Sequence, residues 1–350
     1  MLTIRKDRPA AMTLTNQKRV LYLSHGNAEL YAMIRAAVPP GFALLTLDTP
    51  EEAERLAKLA QADAVICASD RFSRPRIAAA TRLRFVHHQG VGFHDTVDWR
   101  ALAERGIPLA ITPGGTSTGV SEHALMLMFA VMKRLPFLDA ELRQGRFHIN
   151  AIRHCSYELH GKTVGIVGMG RIGTGLAARL KPFGVHVLYH DIVEIPEDRR
   201  RELAITPVPL DRLLADSDIV TLHVPLTPQT RHMIDARALA RMKRTAFLVN
   251  TARGGIVDEQ ALVAALSEGR IAGAALDVFE REPSGPGHPL YAFPNVVLTP
   301  HVAAGTRDAF ATKMDFVFRN LEAFFDGRPV EHLVDYAAEA RAQSGPVGGP

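Results

Sequence analysis

Three separated segments of this sequence each end an apolar run with a side chain suited to carbonyl reduction. Arg253 stands in Asn250-Thr251-Ala252-Arg253-Gly254-Gly255, directly after the apolar Ala246–Val249. Two acids, Glu280 and Glu282, follow Gly273–Leu276 in the segment Asp277–Pro283, and His301 closes Thr299-Pro300-His301 after Asn295–Leu298. A guanidinium can fork onto a substrate carboxylate and polarise the neighbouring carbonyl. An imidazolium can give its proton to the carbonyl oxygen while hydride arrives at carbon, and a carboxylate beside that ring keeps it protonated and aimed. Together these are the groups needed to reduce a 2-oxo acid. Singly, each has a blander reading as a turn arginine, loop acids and a structural histidine; their joint position, each just past a strand, favours chemistry.

A fourth segment supplies a place for the hydride carrier. Gly168-Met169-Gly170-Arg171-Ile172-Gly173 fits G-x-G-x-x-G, with the apolar strand Thr163–Val167 before it and the helical Gly175–Leu180 after it. A further strand, Val185–Tyr189, leads to Asp191, 191 − 168 = 23 residues past the first glycine. In such a unit the glycines permit a tight turn, close approach of a pyrophosphate, and helix–strand contact, while the helix N-terminus presents free N–H groups to the phosphates. Asp191 can accept both hydrogen bonds of an adenosine ribose diol and would repel a 2′-phosphate, which predicts NAD in preference to NADP.

These residues need a frame, and the hydrophobic pattern predicts βα units around parallel sheets. In the first third, Arg19–Ser24, Phe42–Leu47, Ala64–Ala68, Arg84–His87 and Leu109–Thr112 read as strands. Ala28–Ala37, Pro50–Ala60 and Val97–Arg105 carry helical periodicity. A strongly apolar helix from Val120 to Leu135, expected to be covered on most sides, is followed by a loop over Pro136–Leu159. A second series then places strands at Thr163–Val167, His186–Tyr189, Ile219–His223, Ala246–Asn250, Gly273–Leu276 and Val296–Thr299. Ligands of such folds bind in crevices at the carboxyl ends of strands.

Composition excludes several classes. The chain has 350 residues, enough for about two domains; 47% are hydrophobic and 22% charged, which excludes a disordered chain. Net charge is +4. No Lys/Arg-rich tract of a nucleic-acid binder occurs, and the densest patch, Arg199–Arg201, is flanked by acids. The apolar run Ala124–Met132 is too short to cross a bilayer, and Met1–Arg19 lacks the apolar segment of a secretory signal. Two cysteines, Cys67 and Cys155, make neither a disulfide framework nor a zinc pattern, and the fifteen histidines show no metal-ligand spacing. The expectation is a cytoplasmic protein with no metal, no membrane span and no nucleic-acid partner.

Gly161–Asp191, Asn250–Gly255, Asp277–Pro283 and Thr299–His301 resemble the D-isomer-specific 2-hydroxyacid dehydrogenase family, and the likeness extends from about Val86 to Phe325. The resemblance implies two Rossmann-like α/β domains, flavodoxin-like and NAD-binding. The NAD-binding domain (120–303) is inserted in a discontinuous substrate domain (1–119 and 304–340), ahead of a frayed tail (341–350). It implies a catalytic trio of Arg253, Glu282 and His301, the acid being Glu282 because it directly precedes the proline. It implies that the N–H groups of Val91 and Gly92, in Gly90-Val91-Gly92, join Arg253 in holding the substrate carboxylate. Cofactor contacts are implied at the Gly168, Gly170 and Gly173 loop, at Arg171 and Ile172 by the pyrophosphate, and at Asp191 by the ribose. Further contacts are implied at His223, Pro225 and Thr230, at Thr251 and Ala252 beneath the nicotinamide, at Asp277 on its carboxamide, and at Arg253 and His301. The helix from Val120 would serve as hinge and homodimer contact, with Glu122 and His123 structural, and domain closure would exclude water.

The sequence departs from the family in Gly92-Phe93-His94-Asp95, one residue longer than usual, and in Val120, where several relatives carry Thr. His87 and His88, just before the carboxylate loop, are expected nearer the surface than the pocket. With few residues after Asp335, a following regulatory domain is not expected. The expected function is interconversion of a small D-2-hydroxy acid and its 2-oxo acid with NAD. The alternatives are an NAD(H)-responsive binding protein of the corepressor type, or a dehydrogenase of another substrate such as phosphite.

Overall fold

The computed structural model describes residues 17–68, 70–150 and 152–343. The remainder, including most of the N-terminal segment and tail residues 344–350, lies outside the described residues. The chain forms two compact units. One comprises the described residues through Gly115 together with those from Phe310 onward, and the other is Thr116–Ala309.

The first unit is built on five parallel strands, β1 (Lys18–Tyr22), β2 (Phe42–Leu45), β3 (Ala64–Cys67), β4 (Phe85–His88) and β5 (Leu109–Ile111), in the order β2-β1-β3-β4-β5. Successive residues of a strand point to opposite faces, and here both faces are apolar, as a sheet covered on two sides requires. Val20, Ile66 and Phe85 pack on one side with Ile34, Met314, Val317 and Leu321, while Leu21, Val65 and Val86 pack on the other with Trp99 and Leu102. Polar caps set where helices begin: Asn27 accepts the Leu30 N–H ahead of Ala28–Ala37, and Asp98 accepts the Ala101 N–H ahead of Trp99–Glu104.

The second unit holds seven parallel strands: β6 (Thr163–Val167), β7 (His186–His190), β8 (Ile205–Pro207), β9 (Ile219–Leu222), β10 (Phe247–Asn250), β11 (Gly273–Leu276) and β12 (Val296–Leu298). Their order is β12-β11-β10-β9-β6-β7-β8. The winding reverses between β6 and β9, and the loops leaving their carboxyl ends open at the switch point of a doubly wound sheet.

The structure corrects the sequence reading in several places. The apolar helix runs Ser117–Met132, starting and stopping three residues early; it is covered on most sides as expected, with Glu122 and Met126 among its few exposed residues. A second helix, Leu135–Arg143, occupies the expected loop; Arg134 at φ 52° separates the two helices. Edge strand β8 has no pattern that announces it, because Ile205-Thr206-Pro207 is short and ends in proline, a residue suited to an edge. The helix after the glycine loop begins at Arg171, four residues earlier than its apolar periodicity indicates. At the C-terminus a helix spans Tyr336–Gln343, so residues 341–343 belong to it instead of to a frayed tail.

Candidate active site

The turn after β6 shows why its glycines are needed. Gly168 has φ 96°, and a Cβ there would lie 2.6 Å from the His223 carbonyl oxygen; at Gly173 it would lie 2.1 Å from the Gly168 carbonyl oxygen. At Gly170, by contrast, a Cβ would meet nothing within 4 Å. The first and third glycines therefore permit backbone contact, and the second leaves space above the N-terminus of the Arg171–Leu180 helix. Asp191, past the end of β7, accepts the Met169 N–H at 2.5 Å through one oxygen and the Val193 N–H at 2.8 Å through the other. Its carboxylate is thereby fixed beside the turn.

Two buried polar atoms on this rim find no partner among the described residues: His223 Nδ1, just after β9, and Thr251 Oγ1, just after β10. Burial lowers the His223 pKa to about 4, so the ring is neutral, with Nε2 held 2.9 Å from Thr221 Oγ1. Unsatisfied buried groups are costly, and both stand where a bound dinucleotide would supply partners. The set fits NAD. Not every expected contact presents a spare group: the Thr230 hydroxyl donates to Pro225 O at 2.6 Å and accepts the Thr227 N–H at 2.8 Å, closing its own loop. The Ala252 N–H donates to Asn250 Oδ1 at 3.0 Å, while Asn250 Nδ2 donates to Arg253 O at 2.9 Å. Asn250 thus shapes the turn that carries Arg253, a task its place in the motif does not announce.

The acid and the histidine meet. His301 Nδ1 lies 2.7 Å from Glu282 Oε2, with both side chains about one-third exposed (39% and 34%). The Glu282 bond raises the His301 pKa against burial, with the Glu282 charge adding to it and the Arg253 charge opposing it. His301 sits at φ 54°, in the left-handed region. The other Glu282 oxygen accepts the Phe279 N–H at 2.9 Å. Glu280, the competing acid, is engaged elsewhere, on His232 Nε2. The arginine loop is seated against the acid loop: a Cβ on Gly254 would come within 1.9 Å of the Phe279 carbonyl carbon.

Asp277 has no exposed surface. Its oxygens accept from Thr299 Oγ1 at 2.6 Å and from the N–H groups of Val302 and Ala303 at 2.9 Å each, while its own carbonyl accepts the His301 N–H at 2.7 Å. Burial pushes its pKa up, but bonds from His123, Thr299 and the two N–H groups outweigh this and hold it low. His123 Nε2 is 3.0 Å from Thr299 Oγ1 and 3.5 Å from Asp277 Oδ1. Glu122 instead pairs outward with Arg179 at 3.1 Å. Asp277 and His123 therefore shape the segment carrying His301, a role the spacing of motifs does not reveal.

In the first unit, the Gly90-Val91-Gly92 loop leaves β4, with Val91 exposed. Contrary to expectation, His87 and His88 are both buried. His87 donates from Nδ1 to His88 O at 3.2 Å and accepts from Asn320 Nδ2 at 3.1 Å, and burial lowers its pKa to about 3. His88 folds back onto Gly90. His94 stacks on Phe93 with ring centres 4.0 Å apart and reaches Glu339 at 2.8 Å. Among the described residues no cluster of three or more potential metal ligands occurs, and no helix is long and apolar enough to cross a membrane.

Known proteins place this site in context. Residues 125–303 match the family model described as D-isomer specific 2-hydroxyacid dehydrogenase, NAD binding domain. The chain is 44% identical over 259 residues to a glyoxylate reductase of Korarchaeum cryptofilum (strain OPF8), covering 73% of this chain and 77% of that protein. It is 42% identical over 295 residues to a glyoxylate reductase of Thermofilum pendens (strain DSM 2475 / Hrk 5), covering 82% and 85%. The solved NAD-dependent formate dehydrogenase of Staphylococcus aureus in complex with NAD superposes with a TM-score of 0.79 at 29% identity, covering 91% of this chain and 99% of that one. Reductases and dehydrogenases among the relatives favour catalysis over a purely binding role. The chain belongs to the D-isomer-specific 2-hydroxyacid dehydrogenase family and is an NAD-dependent oxidoreductase of 2-hydroxy acids.

Proposed function

We propose that the chain reduces glyoxylate and comparably small 2-oxo acids to 2-hydroxy acids, with Arg253, Glu282 and His301 as the catalytic residues. The observation that carries this reading is the 2.7 Å Glu282–His301 contact on the same strand-end rim as Arg253. The resemblance to glyoxylate reductases supports the substrate class.

NAD, when bound, supplies or accepts the hydride. The pyrophosphate would rest on the Gly168–Gly173 turn with Arg171 and Ile172, the ribose on Asp191, and the nicotinamide end near His223, Thr251 and Ala252. His301 Nδ1 is committed to Glu282, so Nε2 holds the proton given to the substrate oxygen in reduction and takes it back in oxidation. Arg253 holds the carboxylate and offsets charge developing on the carbonyl oxygen, while the N–H groups of Val91 and Gly92 are proposed as donors to the carboxylate alone. Fixed donors of this kind stabilise the transition state without reorganising at the moment of reaction.

The reading includes a homodimer through the nucleotide-binding unit. Met126, Leu135, Leu142, Phe147 and Ile149 form an exposed apolar set within one stretch of chain, Phe147 at 78% and Ile149 at 72% exposure. It also includes a cytoplasmic location, which two free cysteines support.

The test is NADH oxidation against glyoxylate, hydroxypyruvate, pyruvate and phenylpyruvate. Turnover strongest on the smallest acids supports the assignment. Silence on all four, with tight NADH binding, overturns it.

A further inference from the structure

We infer that His88 is a positioning residue for substrate binding: its imidazole clasps the two ends of the Gly90–Thr96 loop and holds the Val91 and Gly92 N–H groups in a carboxylate-binding arrangement. This rests on the reading that those N–H groups receive the substrate carboxylate.

His88 is the last residue of β4 and is 6% exposed. The Gly90 N–H donates to its Nδ1 at 3.1 Å, and its Nε2 lies 3.0 Å from Thr96 Oγ1, which is 3.3 Å from Phe93 O. One ring therefore touches the loop where it leaves the strand and again where it returns. The backbone beneath is pinned as well, because the Thr112 N–H and hydroxyl donate to His88 O at 3.1 and 3.2 Å.

The bonding pattern selects a tautomer. With the proton on Nε2, the Gly90 N–H donates to Nδ1, Nε2–H donates to Thr96 Oγ1, and the Thr96 hydroxyl donates to Phe93 O. With the proton on Nδ1, the ring would donate to Gly90 O at 3.0 Å, the Gly90 N–H would lose its acceptor, and the Thr96 hydroxyl would turn from Phe93 to Nε2. Three bonds against two, with a partly buried N–H at stake, favour the first.

The kinetic consequence differs from that of a catalytic group. A carboxylate is bound in the ground state and the transition state alike, so loosening its cradle raises KM for the oxo acid and leaves kcat nearly unchanged. KM for NADH is also untouched. A merely structural residue would instead lower the active fraction, and with it kcat, at constant KM.

The experiment compares His88→Ala, His88→Asn, Thr96→Val and Thr96→Ser in steady-state reduction of glyoxylate. His88→Ala is expected to raise KM for glyoxylate about tenfold, the loss expected for a bond serving a charged ligand. His88→Asn, whose amide oxygen can replace Nδ1 toward Gly90, recovers part of that loss. Thr96→Val raises KM severalfold and Thr96→Ser restores it. If His88→Ala does not fold, the Thr96 pair gives the same reading. The inference is overturned if Thr96→Val and His88→Asn leave KM for glyoxylate unchanged, or if kcat falls while KM holds. Wild-type inactivity on every oxo acid would sink the substrate assignment itself, a result distinct from either.

Discussion

Glu282 Oε2 and His301 Nδ1 stand 2.7 Å apart, and that contact favours the protonated ring. Because the His301 pKa is raised, the imidazolium persists above the usual histidine range. Reduction, which needs the imidazolium, is expected to decline as pH rises through this raised value, and oxidation to increase. Glu282→Gln removes the main cause of the rise, so the break moves to lower pH and turnover falls by about a hundredfold, the lower end of general acid–base assistance. Paired pH–rate profiles check this. The same interaction contributes stability that is fully present below the ordinary histidine pKa and is lost as pH rises through the folded-state value.

Asp191 is fixed by two N–H donors at the end of β7. Asp191→Ala is expected to weaken NADH binding and raise the relative use of NADPH, because the repulsion of a 2′-phosphate disappears. The ratio of kcat/KM for the two cofactors measures it, and an unchanged ratio would remove Asp191 from ribose recognition.

Gly254 has no room for a side chain against the Phe279 backbone. Gly254→Ala is expected to cost on the order of 1–3 kcal/mol by overpacking and to displace the Glu282 loop. Thermal denaturation reads the first effect. The second should appear as a lowered pKa in the pH–rate profile even in the fraction that folds.

His87 is buried neutral, its pKa lowered to about 3 by desolvation. On unfolding it returns to the ordinary value near 6.5 and takes up a proton in acid. The sign follows: the unfolded state binds more protons between those values, so stability falls as pH drops through this window. His87→Leu is expected to flatten that part of the curve, as measured by denaturant unfolding at pH 7 and pH 5.

Legibility in the sequence followed the range of the interactions. The glycine turn, Asp191 and the strand-end positions of Arg253, Glu282 and His301 depend on local spacing within βα units, and the strand patterns that place them could be read directly. The choice of Glu282 over Glu280 came from resemblance alone; the structure adds a physical distinction in the His232 that occupies Glu280. The burial of Asp277 and its link to His123 join segments more than 150 residues apart, so no local pattern announces them. His87 and His88 read as surface residues because histidine is polar, yet Asn320 and Thr96, both outside the strand, satisfy them inside. The helix Leu135–Arg143 was hidden by Pro136, which is acceptable in a first helical turn.

The left-handed backbone of His301 has a practical corollary. Glycine is the one residue that takes up φ 54° without strain, so His301→Gly should preserve the course of the chain while emptying a space the size of the missing ring. Free imidazole added to that variant has a ready-made berth beside Glu282. Restoration of turnover by the dissolved base, in proportion to its concentration, would show that the protein supplies a socket for the proton carrier as much as the carrier itself.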